Sequence, residues 1–228
     1  MRARRMPLAG LLPAAALATA GCSGLFHSDA VPEQVYLLRT PGAASTGVAS
    51  AAGAPAGAGA LPASASVRVA HPLSDPGLDG AHIVLVQPDH RMNFYAASRW
   101  AAPLPDLVEA LVVQTLRASG EWPSVEDSGS AFPSAYLLEI SVRRFEADYT
   151  AGSAAPEIEV VFDCTLGRSA GREVLASFVA RGSAPAGEDR LAAVVAAFQR
   201  ASGAALGSLA RQAAEAVRTD REAAAPAH

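Results

Sequence analysis

Few side chains in this sequence have the type and spacing that chemistry needs. Gly167-Arg168-Ser169-Ala170-Gly171 fits the G-x-S-x-G pattern of serine hydrolases. That pattern presents a nucleophile only where a strand turns sharply into a helix. Here it lies between two alternating apolar segments, where glycine and serine are ordinary turn residues, so a hairpin turn is expected. A hydrolase would also need a histidine and an acid beside Ser169. The five histidines, His27, His71, His82, His90 and His228, are scattered without ligand spacing. No metal site is expected from them. Glu157 and Glu159 share a strand face, which marks a solvated acidic surface rather than an acid–base pair. Phosphate loops and dinucleotide fingerprints are absent from the sequence. The chain reads as a non-enzyme, with no catalytic residue, metal or cofactor.

The covalent chemistry that the sequence does support is at its start. In Leu17-Ala18-Thr19-Ala20-Gly21-Cys22, small residues precede a cysteine as they do in a lipobox. Arg2, Arg4 and Arg5 form a basic leader, and Leu8 to Ala20 is an apolar run of signal-peptide length, with Pro7 just before it and Pro13 within it. That run is too short to span a bilayer comfortably. Cleavage after Gly21 and lipidation of Cys22 are expected. Thr19 departs from the pattern, because a larger aliphatic residue is commoner there. The competing reading is an ordinary secretory signal that leaves Cys22 as a free thiol. Acyl chains hold a protein to a membrane at roughly 0.8 kcal/mol per buried methylene, with no spanning helix required. Ser23, where an aspartate favours inner-membrane retention in enteric-type bacteria, points to the periplasmic face of the outer membrane.

Removing the signal leaves about 207 residues, enough for one domain with a substantial core. The formal charge is −4, and the basic side chains are all arginine. Three arginines leave with the signal, so the mature chain is more acidic still. Sequence-independent nucleic-acid binding relies on neutralising phosphates and does not suit such a chain. Cys164 has no cysteine partner once Cys22 is acylated, and its place in an alternating apolar pattern predicts a buried, inert thiol.

The elements follow from periodicity. Leu104 to Ala118 repeats Leu104, Leu107, Val108, Leu111, Val112 and Leu116 at helical spacing, with Pro103 and Pro105 at its start and Gly120 at its stop. Arg190 to Arg218 is a long helix with Leu191, Val195, Phe198, Leu206, Leu209, Ala213 and Val217 along one stripe. Gly203 and Gly207 mark a kink or a close packing point. Strand patterns occur at Ser66–Ala70, Ala81–Gln87, Tyr136–Tyr149, Glu157–Leu166 and Glu173–Ala180. Phase changes near Arg143-Arg144, which predicts a β-bulge. Glu157–Leu166 and Glu173–Ala180 are expected to form an antiparallel hairpin, the second strand placing Val174, Ala176 and Phe178 inward. Val35 to Leu38 is an apolar island before the Ala/Gly/Pro-rich stretch 41–63, expected to pair with the main sheet across that insertion.

The fold class is therefore α+β, an antiparallel sheet of about five strands with two amphipathic helices packed on one face. The expected domains are a lipoprotein signal peptide at 1–21, a lipidated N-terminus and flexible segment at 22–65, a folded domain at 66–218 and a disordered tail at 219–228. Tyr95 to Pro105 allows two readings. The aromatic and arginine side chains are core packing with a snorkelled guanidinium, or they are anchors for a partner.

A lipobox, Leu78-Asp79 ahead of Ile83-Val84, then Tyr95, Arg99-Trp100-Ala101 and Pro103-Leu104 before an amphipathic helix together resemble the ABC-type transport auxiliary lipoprotein family, the PqiC-like group. The similarity covers roughly Val67 to Val217 in element order, and the long insertion after Leu38 departs from it. The resemblance implies a non-catalytic envelope component of an MCE-type lipid transport system. Its partner would be a periplasmic MCE-domain protein, which it would link to the outer membrane through its acyl anchor. A homo-oligomer is compatible with this reading. Tyr95, Arg99 and Trp100 are the partner-contact residues that follow. The alternative is a periplasm-facing lipid-binding carrier lipoprotein, which would need an apolar cavity large enough for acyl chains.

Overall fold

The computed structural model describes residues 32–40, 61–62 and 64–224. The expected signal peptide, Cys22, most of the Ala/Gly/Pro-rich segment and the last four residues fall outside these. The described chain is α+β, but its sheet is larger than expected and mixed rather than antiparallel. Nine strands join in one sheet. They are β1 (Gln34–Tyr36), β2 (Ser66–Val69), β3 (Leu73–Ser74), β4 (His82–Val86), β5 (Met92–Trp100), β6 (Ser124–Glu126), β7 (Tyr136–Asp148), β8 (Glu157–Arg168) and β9 (Glu173–Pro185).

β7 is the spine. Along one edge it runs antiparallel to β8 over its whole length, and β8 continues into an antiparallel pair with β9. Along its other edge it meets β2, β3 and β4 in succession, all parallel, with Val67 opposite Tyr136, Leu73 opposite Ser141 and Val84 opposite Glu146. These three strands make one interrupted row. Pro72 and Pro76 cannot donate to a ladder, and Gly77 turns the chain with φ +90°, so the row is broken into short pieces. β6 adds in parallel outside β2, β5 antiparallel outside β4, and β1 in parallel outside β5. The apolar island before the insertion does pair with the main sheet.

Two further details correct or bear out the pattern. The β7–β8 register shifts between Val142 and Arg144, where the change of phase places a bulge. A second shift, between Leu166 and Gly167, was not expected. It leaves Leu175 as an extra residue in β9, and Val174 points outward at 61 % exposure rather than inward.

The helices are α1 (Leu104–Ser119) and α2 (Leu191–Ala224). α1 begins after Pro103, with a second proline in its first turn, and Asp106 there faces the positive end of the helix dipole. It stops at Gly120, whose φ of 66° is left-handed and whose N–H reaches the Arg117 carbonyl at 3.3 Å. α2 continues past Arg218, the end expected from the apolar stripe. Its last turns are held from outside the stripe, by an ion pair of Asp220 with Arg168 and a hydrogen bond of Arg221 to Ser64. Both helices contact each other and the sheet, and their apolar stripes close on the inward residues of the strands to form one core.

Two points lock this core. At Gly182 of β9 the backbone of α2 comes so close that a Cβ would lie 2.7 Å from the Ala205 nitrogen and closer still to the Ala201 carbonyl. Farther in, Phe145 of β7 and Phe198 of α2 stack at 5.2 Å, and Trp100 meets both edge-on at 5.9 and 5.1 Å.

Candidate functional site

The three residues expected to meet a partner are near one another, but they do different work. Trp100 is 1 % exposed. It is a core residue and has no surface to offer, which corrects its assignment as a contact. The main chain around it explains its burial: Trp100 N–H donates to the Ala81 carbonyl at 2.7 Å, and Ala101 N–H to that of Tyr36 at 3.0 Å. Leu104 N–H reaches the Gly80 carbonyl at 3.0 Å. The Arg-Trp-Ala-x-Pro-Leu segment is thus a junction that fixes the end of β5, the start of β4 and the start of α1.

Tyr95 is half-buried. Its hydroxyl and that of Tyr149 are 2.9 Å apart, and Tyr149 donates to Asp189 Oδ1 at 2.5 Å. Burial first, and then the Asp189 charge, raises the Tyr95 phenol above its ordinary value, while the Tyr149 hydrogen bond opposes them. Burial also raises Tyr149, together with its bonds to Asp189 and Tyr95. The chain of hydroxyls brackets β5, the end of β7 and the turn before α2. Arg99 is partly accessible, its side chain 39 % exposed. Its Nε donates to Glu33 at 2.8 Å and its Nη1 to the Trp100 carbonyl at 3.2 Å.

What this edge of the sheet does expose is apolar. Val35 (50 %), Leu37 (59 %), Met92 (42 %) and Phe94 (45 %) belong to β1, β5 and the residue after β1. Register places them together. Val35 and His82 are both opposite Arg99, on the face away from Tyr36 and Trp100. Phe94 reaches the same face, its ring 4.5 Å from that of His82, and Met92 precedes it by one strand period. The β4–β5 ladder is irregular between His82 and Val84, and Ala97 takes a left-handed φ of 49°. Non-glycine residues with such φ are uncommon and gather at turns, bulges and functional sites. The patch is rimmed by two ion pairs, Arg99–Glu33 at 2.8 Å and Arg91–Asp89 at 2.6 Å. An apolar centre with a charged rim on an edge strand is the chemistry of a protein-docking surface. None of these four residues stands out by type in the sequence. The signal that marks them is the period-two alternation of Met92 and Phe94 against Tyr95.

The remaining candidates resolve as structure. Ser169 lies in the β8–β9 turn, with Gly171 and Arg172 at φ 82° and 53°. The groove beside it is lined by arginine, glutamate, small polar residues and the apolar Pro133, Leu137 and Val174, with no histidine or aspartate. Glu159 belongs to a charged network on the outer sheet face, 3.8 Å from Arg144, which also holds Glu146 and Asp148 at 2.7 Å each. His71 is 3.0 Å from Glu109, and the His82 ring packs tilted against Phe94. Among the described residues no group of three or more His, Cys, Asp and Glu gathers as a metal site. Cys164 is buried; burial, with the Asp163 charge second, pushes its thiol up to about 12. Two hollows, of about 630 and 710 Å³, are grooves on the outer sheet face with mixed polar and apolar walls. Among the described residues no helix is long and apolar enough to cross a membrane.

Comparison with known proteins gives the family and the fold. Residues 48–214 match a family described as ABC-type transport auxiliary lipoprotein component. A Xanthomonas campestris protein of the DUF330 family superimposes with a TM-score of 0.70 and 25 % identity, covering 84 % of this chain and 99 % of that one. A second solved structure, of an uncharacterized protein, has a TM-score of 0.55 at 14 % identity over 83 % and 99 % of the two chains, and shares the fold. No curated protein matches.

Proposed function

Because the chain belongs to the ABC-type transport auxiliary lipoprotein components, we propose that it is the non-catalytic outer-membrane lipoprotein of an MCE-type lipid transport system. In this reading Cys22 carries the acyl anchor, and the folded domain faces the periplasm. The domain engages a periplasmic MCE-domain protein through the β1–β5 edge. One observation carries the docking part: Val35, Leu37, Met92 and Phe94 are exposed together on one face of an edge. Exposed apolar groups of this size on adjacent strands lower solubility unless a partner covers them. Trp100 acts from beneath, as the core residue that holds β5 in place. Arg99, paired with Glu33 at the rim, sets orientation more than affinity. Tyr95 supports the strand through Tyr149. The carrier alternative gains nothing from the hollows, which are open and partly charged where an acyl chain needs an enclosed apolar space.

The test is photo-crosslinking in cells. A photoreactive amino acid replaces Phe94 or Leu37 in turn, and replaces Phe132 and Val179 as exposed apolar controls on other parts of the surface. An MCE-domain protein captured from Phe94 and Leu37, and not from the controls, is the expected outcome. Equal capture from all four positions, or capture of this chain's own copies alone, overturns the docking assignment.

A further inference from the structure

The outer face of the sheet has a second feature, at the opposite end of β7 from the docking edge. One cross-strand row runs Glu126, Arg68, Leu137, Gly167 and Val174 over β6, β2, β7, β8 and β9. Gly167 puts no side chain into that row. A Cβ there would lie 2.8 Å from the Glu173 carbonyl oxygen, so the close approach of β9 keeps this position a glycine. The missing side chain becomes the floor of the groove of about 630 Å³. Leu137, Val174 and Pro133 give it apolar walls, and Arg68, Arg168, Arg172, Glu139 and Glu173 give it charge.

Most charges on this face already have partners. Arg143 is 3.0 Å from Asp75 and 2.7 Å from Asp163. Arg168 is held by Asp220 and, at 2.5 Å, by Glu173. Glu126, beside Arg68, accepts from the hydroxyls of Ser124 and Ser130 at 2.8 and 2.7 Å. Within the groove the Arg168–Glu173 pair is matched, but three other charged side chains are not. The side chains of Arg172 and Glu139 make no hydrogen bond or ion pair among the described residues. Arg68 donates from Nη2 to the Phe132 carbonyl, yet its Nε is buried without an acceptor. A buried guanidinium donor left unmatched is costly, and an incoming acceptor relieves it.

We propose that this groove binds a zwitterionic lipid headgroup, with its phosphate between Arg68 and Arg172 and its primary ammonium at Glu139. The spacing suits one headgroup. Arg68 is level with Leu137, and Glu139 is two residues farther along the same face of β7, about 7 Å by strand rise. Arginine forks match phosphate oxygens, and a carboxylate accepts from an N–H ammonium but not from a trimethylated one. Leu137, Pro133 and Val174 take the first methylenes beyond the phosphate, which separates a lipid from the free headgroup compound. The site adds headgroup reading to the chain and stands or falls apart from the docking edge.

Calorimetric titration of the purified full chain in detergent tests this. The probes are dihexanoyl phosphatidylethanolamine, dihexanoyl phosphatidylcholine, phosphoethanolamine and inorganic phosphate. The ethanolamine lipid is expected to bind tightest, about tenfold over the choline lipid. Glu139→Gln is expected to erase that preference, and Arg172→Ala to weaken both lipids about tenfold. Both side chains are exposed, Glu139 on the outer face and Arg172 in the β8–β9 turn, and unchanged far-UV circular dichroism confirms that each variant folds. Three results overturn the proposal. The first is no heat with any lipid, and the second is affinity unchanged in both variants. The third is phosphate or phosphoethanolamine binding as tightly as the lipid, which leaves an anion or free-headgroup site only.

Discussion

Trp100→Ala is expected to cost the fold about 4 kcal/mol, near the middle of the range for deleting a large buried aromatic. The side chain is 1 % exposed, so the whole transfer contribution is lost. Two edge-to-face contacts go with it, at 5.9 Å to Phe145 and 5.1 Å to Phe198. Each such pair is worth roughly 0.5–1.5 kcal/mol beyond its area. Collapse into the space is resisted, because the main chain at Trp100 and Ala101 is tied to Ala81 and Tyr36. For a domain of this size each kcal/mol moves the melting temperature by about 2–4 °C, so a fall of roughly 8–16 °C is expected. Trp100→Phe keeps one ring and should lose about 1–2 kcal/mol. Thermal unfolding followed by circular dichroism reads both, and urea unfolding followed by the fluorescence of buried Trp122 gives an independent value. The reasoning fails if Trp100→Ala melts within about 2 °C of the parent. It fails more informatively if that variant is stable and yet loses the crosslinked partner, because Trp100 would then be the contact and not the support.

Gly182→Ala should destabilise by about 3 kcal/mol or more, because the new methyl meets the backbone of α2 at Ala201 and Ala205, not a side chain that can swing away. Gly207→Ala, in open space on the same helix, should stabilise by about 0.5–1 kcal/mol. Amide exchange along α2 distinguishes them, and equal protection in both variants would contradict the close-packed account. The folded chain should also weaken in alkali. Cys164 keeps its proton up to about 12 when folded, whereas an unfolded thiol releases it near 8.5. The folded state then binds more protons, so stability falls as pH rises between those values, by at most about 1.4 kcal/mol per pH unit. Tyr95 and Tyr149, both raised, act in the same direction once an unfolded phenol ionises near 10. Urea midpoints that stay level from about pH 8 to pH 10 would refute this, and Cys164→Ala should flatten the lower part of the fall.

Local pattern carried a large part of the fold. The α1 boundaries follow from two prolines, a helical stripe and Gly120, all within a short stretch of chain. The bulge at Val142–Arg144 was legible because one extra residue swaps the faces of a strand, and the change from Leu138, Ile140 and Val142 to Phe145 and Ala147 records it. Pairing partners were not legible. β2, β3 and β4 have four, two and five residues. Alternation over so few positions says nothing of direction, and only their common neighbour β7 makes them one parallel row. The same limit misplaced Val174, since the Leu166–Gly167 shift is set by the β9 register and not by its composition.

The site shows why a family signature and a contact surface need not coincide. Trp100 is conspicuous by residue type, and the sequence around it is what resembles the family, because three elements must meet there: the end of β5, the start of β4 and the start of α1. A position constrained by Phe145, Phe198 and its own main-chain bonds has little freedom to adapt to a partner. Phe94 and Met92, on the opposite face of the same strand, touch solvent and can vary without disturbing the core. The inward face of β5 builds the scaffold. In the proposed reading, choice of partner falls to the outward face, together with Val35 and Leu37 on β1 and just beyond it. That division explains why the sequence led first to Trp100 and the structure to its neighbours.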